Sequence, residues 1–231
     1  MKATKATEGL TQLEEAQQIV LESTPTLGLE KISILDALGR VLGEDIVAER
    51  DNPPWNNSAM DGFAVRWEDI KQEHAIQKTV TLTVIEDVAA GKMPSKSVGA
   101  GQAIRIMTGA PLPKGADTVL KVEDTEHTAD SVRVFRPEPL GANIRPQGED
   151  VKKGECIIAK RTQIRSGEAG MLAILAKSFI FAYQRPRVAI LSTGDELADL
   201  DERFSDEKII NSNSYGIAAA VQEAGGIPLL L

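Results

Sequence analysis

Thr79-Val80-Thr81-Leu82-Thr83-Val84-Ile85 alternates polar and apolar residues, with Val80, Leu82 and Val84 on one side of a period of two. β-Branched residues fill most of these positions, so the stretch predicts a half-buried β-strand. Further short apolar runs at 103–107, 118–122, 131–135 and 155–159 are separated by Gly, Pro or polar turns. Short strands at this spacing predict an all-β middle third, folded as a barrel or a sandwich.

Upstream, Thr11-Gln12-Leu13-Glu14 has the form of a capping box, and Leu13, Ala16 and Val20 continue a helical stripe that stops before Pro25. The pattern predicts an amphipathic helix of about three turns. A short strand at 31–34, a turn at Asp36-Ala37-Leu38-Gly39-Arg40 and an extended run through Ile46 and Val47 lead to the break at Asn52-Pro53-Pro54. A small αβ part therefore precedes the β segment.

Downstream the pattern changes again. Ser166-Gly167-Glu168 is expected to cap an Ala/Leu/Ile helix ending near Lys177, and 179–183 leads through Arg185-Pro186 to the apolar strand 187–191. The loop Ser192-Thr193-Gly194-Asp195-Glu196, a helix capped by Asn213 or Ser214 and stopped at Gly225-Gly226, and a strand at 227–231 complete one βαβ unit. Two parallel strands cannot cover both faces of a sheet, so the expectation is that this is the front part of a longer protein or one whose missing sheet is supplied elsewhere.

The 231 residues carry 26 basic and 34 acidic side chains, a formal charge of −8 that disfavours nucleic acid and anionic membrane surfaces as partners. The single cysteine, Cys156, excludes an intrachain disulfide framework, and with two histidines it excludes the common zinc constellations. Between a Lys-Lys-Gly-Glu turn and Ile157-Ile158, it reads as a half-buried strand cysteine rather than a nucleophile. No apolar run reaches membrane-spanning length, and Met1-Lys2-Ala3-Thr4-Lys5 lacks the apolar segment of a signal peptide. A soluble, cytoplasmic protein is expected.

Acidic or hydroxyl residues stand at glycine-flanked turns in Asp61-Gly62, Thr108-Gly109, Gly148-Glu149-Asp150 and Thr193-Gly194-Asp195-Glu196. Glycine lets a backbone approach a ligand closely, and carboxylates at loop tips suit a hard cation such as magnesium. Taken singly, each is better explained as turn chemistry, since Asp, Thr and Gly favour turns in any case. Arg105 falls in a β pattern and is expected to face solvent or a domain contact, Met60 and Met107 to be packing residues, and Trp55 to pack on a neighbouring domain.

Four stretches are more specific together than apart. Asn57-Ser58-Ala59-Met60-Asp61-Gly62-Phe63-Ala64-Val65, Arg105-Ile106-Met107-Thr108-Gly109-Ala110-Pro111-Leu112-Pro113-Lys114-Gly115-Ala116-Asp117, Gly148-Glu149-Asp150-Val151 and Leu191-Ser192-Thr193-Gly194-Asp195-Glu196-Leu197 follow one another in a set order. In that order and spacing the chain strongly resembles the molybdopterin molybdenumtransferases, the MoeA family that includes the gephyrin E domain. The resemblance implies an α+β multidomain protein. An αβ linker-like domain would take residues 1–52 and 143–184, an inserted all-β domain 53–142, and the first βαβ of an incomplete α/β molybdopterin-binding domain 185–231.

The family inserts molybdenum from molybdate into the dithiolene of adenylylated molybdopterin, uses a divalent cation (Mg2+), and releases AMP. Matched motif by motif, the resemblance assigns the catalytic roles to Asp61, Thr108, Asp150 and Glu196, with Asp61, Asp150 and Glu196 as metal ligands. Thr108 is expected to donate to the oxygens of molybdate. Ser58 and Gly109, with Ser192, Thr193, Gly194, Asp195 and Asn213, are the expected contacts to the pterin substrate. Asn211-Ser212-Asn213-Ser214 reads equally as a phosphate or pterin site and as a plain helix cap. The implied partners are a second copy of the chain, molybdopterin adenylyltransferase and molybdoenzyme-side proteins.

The chain departs from the family in two ways. Phe63 stands where the family often has Tyr, and the family's glycine-serine pterin motif, Lys/Pro-rich phosphate motif and C-terminal β domain have no counterpart in these 231 residues. The alternative expectation is a non-catalytic dimerisation or pterin-pathway binding module.

Overall fold

The computed structural model describes residues 11–71, 79–89, 91–202 and 208–231. The fold is a mixed α/β one, and the chain divides into two compact units, Ile46–Ile157 and a second made of Met1–Asp45 with Ile158–Leu231. In chain order α1 (Leu13–Ser23) and β1 (Leu29–Ser33) come first. The middle unit holds β2 (Ile46–Val47), β3 (Asn57–Ser58), β4 (Gly62–Val65), the short helix α2 (Trp67–Ile70), β5 (Val80–Val88), β6 (Gln102–Ile106), β7 (Thr118–Lys121), β8 (Thr125–His127), β9 (Ser131–Val134) and β10 (Ile144–Arg145). After β11 (Cys156–Ile158) come α3 (Ser166–Ile174), β12 (Phe179–Tyr183), β13 (Arg187–Ile190), β14 (Leu197–Ala198), β15 (Ile209–Ile210), α4 (Ser212–Glu223) and β16 (Ile227–Leu230).

In the middle unit six strands among the described residues form one sheet in the order β7-β4-β6-β5-β9-β8. All neighbours are antiparallel except β5 and β6, which run parallel, so the sheet is mixed. Every residue of β4 is buried. Its period of two sends Phe63 and Val65 to one face, against Leu82, Leu120 and Val132, and Ala64 to the other, against Ile104, Ile106 and Val119. The alternation read in 79–85 is correct as far as Val84. There a β-bulge, a register shift between Val84 and Glu86, changes the frame, and Val88 lands in the core on the opposite face. The sheet curls: the rings of Phe63 on β4 and His127 on the edge strand β8 lie 5.3 Å apart although three strands separate them in the ladder.

In the other unit β1 and β12 pair antiparallel, from Leu29 opposite Tyr183 to Ser33 opposite Phe179. Three cap expectations need correction. α1 starts at Leu13, so Gln12 occupies the cap position without a side-chain bond, and the Thr11 capping box does not form. α3 is capped by Glu168, which reaches back to the Arg165 N–H at 3.0 Å, while Ser166 is already inside the helix. It ends at Ile174 rather than near Lys177, because Ala176 turns to φ +56 and the Lys177 N–H closes onto the Leu172 carbonyl at 2.9 Å. α4 is capped by Asn211, whose Oδ1 accepts the Ser214 N–H at 3.3 Å, and not by Asn213 or Ser214.

The βαβ unit is present: β13 and β16 pair in parallel, Arg187 opposite Ile227 through Ile190 opposite Leu230, and Gly225 at φ +82 ends the helix between them. A second short parallel pair, β14 with β15, was not legible in the sequence. Cys156 is exposed rather than half-buried, since it opens β11 beside the Gly154 turn before the chain enters the core at Ile158. Among the described residues no helix is long and apolar enough to cross a membrane.

Candidate functional site

The stretch before Asp61 is threaded between two others. β3 pairs antiparallel with β10, Ser58 opposite Ile144, and on its other side the Ser58 N–H donates to the Ala110 carbonyl at 3.0 Å while Gly109 N–H donates to the Ser58 carbonyl at 2.8 Å. Ser58 is fully buried, and its hydroxyl donates to the Met60 carbonyl while accepting from the Met60 N–H. It fixes the turn that presents Asp61 and does not face a ligand. Gly62 next to it has a different function from the one expected of a turn glycine. A Cβ at Gly62 would sit 1.7 Å from the Leu120 carbonyl oxygen, so the glycine admits the backbone of β7, not a ligand.

Asp61 itself is exposed, and Thr108 is the residue brought to it. The Thr108 N–H and Oγ1–H both donate to Asp61 Oδ1 at 2.7 Å. These two bonds, backbone first, hold the Asp61 carboxyl below its ordinary value against the opposing effect of desolvation, and the positive charge of Arg105 adds to the lowering. Asp61 is therefore an ionised carboxylate at neutral pH, and its Oδ2 accepts no hydrogen bond from the described residues. The single hydroxyl proton of Thr108 is spent on Asp61, so Thr108 orients the carboxylate and has no proton left for a molybdate oxygen. Gly109 follows at φ +82 with open space around it. Arg105 lies on β6 opposite Phe63 and Asp87 and pairs with Asp87 at 3.4 Å. Met60 and Met107 are half-buried, and Trp55 is 41 % exposed.

Asp150 is exposed on the loop after β10. Because β3 and β10 are antiparallel, Asp61 and Asp150 leave that ladder at opposite ends, and no hydrogen bond joins them among the described residues. The Asp150 loop is built on the segment before β3. Asp150 N–H and Val151 N–H both donate to the Asn52 carbonyl at 3.0 Å, and Gly148 N–H to the Pro53 carbonyl at 2.9 Å. Two residues missed in the sequence hold it. Asp51 accepts the Lys153 N–H at 2.8 Å and Gln147 Nε2 at 2.6 Å, and Asn56 Oδ1 accepts the Gln147 N–H at 2.7 Å. Nothing in an Asp before Asn-Pro-Pro distinguishes a clamp from an ordinary turn residue.

The other motif lies in the second unit, where the loop after β13 meets the start of α4. Asn211 Nδ2 donates to Ser192 Oγ at 2.8 Å, while the same side chain caps α4. Ser192, Thr193 and Asn213, with Asn211, Ser214 and Ile217, line a cavity of about 320 Å³. Gly194, Asp195 and Glu196 are exposed beside it and do not line it. The Glu196 carboxylate folds over Gly194, where a Cβ would lie 2.6 Å from its Oε1. Asn211 stands in the stretch singled out in the sequence but not as its cap, because a run of Asn and Ser offers several equivalent caps and the true one lies two residues before the nearer one expected.

Among the described residues of the chain no group of three or more His, Cys, Asp or Glu is arranged to hold a metal ion. Magnesium characteristically takes one or two carboxylates and completes its shell with water and substrate phosphates, so the free Oδ2 of Asp61 fits it as a single protein ligand.

A family model described as the MoeA N-terminal region (domain I and II) matches residues 11–176. The chain belongs to the MoeA family. It is 35 % identical over 222 residues to the molybdopterin molybdenumtransferase of Nostoc sp. strain PCC 7120, covering 94 % of this chain and 51 % of that protein. It is 36 % identical over 206 residues to the Bacillus subtilis strain 168 protein of the same name, covering 87 % and 48 %. The crystal structure of the molybdopterin biosynthesis MoeA protein from Pyrococcus horikoshii OT3 superposes with a TM-score of 0.86 at 37 % identity, covering 94 % of this chain and 58 % of that one. The chain thus spans about half the length of the curated MoeA relatives it matches.

Proposed function

We propose that the protein bearing this chain is a molybdopterin molybdenumtransferase, inserting molybdenum from molybdate into adenylylated molybdopterin with release of AMP. The observation that carries the reading is the Asp61–Thr108 pair, an ionised carboxylate with one oxygen fixed by two short hydrogen bonds and the other open, in a chain whose relatives bear that name. Asp61 Oδ2 would hold magnesium, which when bound neutralises charge on the adenylate phosphates. Asp150 and Glu196, both exposed carboxylates on loop tips, would serve as water-mediated ligands or as bases orienting the water that attacks the phosphate. The cavity at Ser192, Thr193 and Asn213 would receive the pterin substrate, with the first turn of α4 offering N–H donors to its phosphate.

In this reading 1–52 with 143–184 form the linker-like domain, 53–142 the inserted β domain, and 185–231 the start of the molybdopterin-binding domain. The protein would be cytoplasmic and would work as a dimer. α1 buries no residue and presents Leu13, Val20 and Leu21 at 62–71 % exposure, an apolar stripe suited to a second copy. The test is incubation of the complete protein with adenylylated molybdopterin, molybdate and magnesium, following AMP. Release of AMP that requires molybdate and disappears in Asp61→Asn is expected, and no AMP from the wild type ends the proposal. Sedimentation of the 231-residue chain tests the dimer, and a dimeric chain with no pterin binding would favour the binding-module alternative.

A further inference from the structure

The two oxygens of Asp51 bracket the Asp150 loop. Oδ1 takes the Lys153 N–H beyond Asp150, and Oδ2 takes the Gln147 side chain ahead of it. Between those points the loop has little freedom left. Gly148 turns at φ +69, where a Cβ would come within 3.4 Å of Asp51 Cγ, and the N–H groups of Gly148, Asp150 and Val151 are bonded to the carbonyls of Pro53 and Asn52. The Asp150 carboxylate projects from this pinned backbone, as does that of its neighbour Glu149, and Asp150 keeps a long 3.4 Å contact from Asn52 Nδ2.

We propose that Asp51 is a positioning residue, which, acting through Lys153 and Gln147, sets the direction in which the Asp150 carboxylate points. The proposal rests on the reading of Asp150 as a group that faces the cation or its water. Chemistry favours a carboxylate at position 51 because both of its partners are donors, and an ionised Asp accepts on each oxygen. The Lys153 N–H first, and the Gln147 amide second, keep the Asp51 carboxyl below its ordinary value, so the clamp is intact at neutral pH.

The experiment compares Asp51→Ala and Asp51→Asn with the wild-type complete protein, reading AMP release against magnesium concentration and amide exchange over residues 147–153. Loss of a partner that orients a ligand typically costs roughly 10–100-fold in metal affinity or activity, and that is the fall in kcat or rise in half-saturating magnesium expected for Asp51→Ala. KM for the pterin substrate should stay unchanged. Asp51→Asn should recover most of the loss, since its amide oxygen still accepts from Lys153 N–H and the Gln147 amide can turn to meet its NH2. Exchange protection of 147–153 should drop in Asp51→Ala and return in Asp51→Asn, a readout that does not depend on activity.

Wild-type protection in Asp51→Ala overturns the proposal. So does an Asp51→Asn protein as deficient as Asp51→Ala, because the charge and not the geometry would then be what matters. If the wild type releases AMP without needing magnesium, the cation reading of Asp150 fails, while the exchange arm still decides whether Asp51 holds the loop. If Asp51→Ala does not fold, Gln147→Ala removes one partner only, and it must loosen 147–153 for the proposal to stand.

Discussion

Substitution of Gly62 by Ala is the sharpest perturbation this fold offers. A Cβ there would stand 1.7 Å from the Leu120 carbonyl oxygen and 2.8 Å from its carbon, where real contacts essentially never come under 3.0 Å. The obstacle is backbone of the paired strand β7, so relief requires β4 and β7 to part by about 1.3 Å, which disrupts the ladder from Gly62 opposite Lys121 to Val65 opposite Thr118. Overpacking a well-filled interior costs about 1–3 kcal/mol and sometimes more, and a clash with backbone puts this case at about 3 kcal/mol. For a chain of this size that is a fall in Tm of roughly 6–12 °C. Trp55 and Trp67 both lie in the unit Ile46–Ile157, so tryptophan fluorescence during heating reports on it. Gly109→Ala is the control. Its φ of +82 carries strain but no neighbour lies within 4 Å, and the cost is about 1 kcal/mol. A Gly62→Ala protein that melts no lower than Gly109→Ala would refute the reasoning.

Thr108→Val removes the hydroxyl donor to Asp61 and keeps the shape, so the Asp61 carboxyl should move up toward its ordinary value, as followed by carbon NMR titration, and AMP release should fall roughly 10–100-fold. Thr108→Ser should retain most of both. Glu168 is lowered from 4.5 to about 2, chiefly by its side-chain bond with Arg165. Its folded value lies below its unfolded one, so its contribution is complete above about pH 4.5 and is lost as pH falls toward 2. Amide protection in α3, taken against the intrinsic exchange rate at each pH, should fall as pH drops through that window in the wild type and stay level in Glu168→Gln. Asn211→Ala should cost about 1 kcal/mol through loss of the α4 cap, measured by thermal unfolding. It should also weaken binding of the pterin substrate, since Ser192 loses its partner, whereas Asn211→Asp keeps the cap and its second oxygen can accept from the Ser192 hydroxyl, so both losses should be small.

Periodicity and motif order carried far. The alternation at 79–85, the apolar runs of β6, β7 and β9, and the βαβ of β13, α4 and β16 are local patterns, because a strand's or helix's buried face must repeat along the chain wherever it folds. The four motifs named the family from residue identity alone. What the sequence could not hold is which segment each one meets. The parallel pairing of β5 with β6, the bulge that turns Val88 to the other face, and the Gly62 contact with Leu120 are all properties of pairs distant in sequence. The same holds at the site. Thr108 was singled out by its motif, but only the tertiary contact shows its proton committed to Asp61, 47 residues away. Asp51 and Asn56 gave no signal, and Asn211 was not told apart from the Asn and Ser beside it, because a polar residue in a turn looks the same in sequence whether it faces water or clamps a loop. The sequence by itself determined the longer periodic elements and the family, since both are written in local order. The tertiary structure decided the work of each polar side chain, since a hydrogen bond is fixed by its partner and the partner comes from elsewhere in the chain.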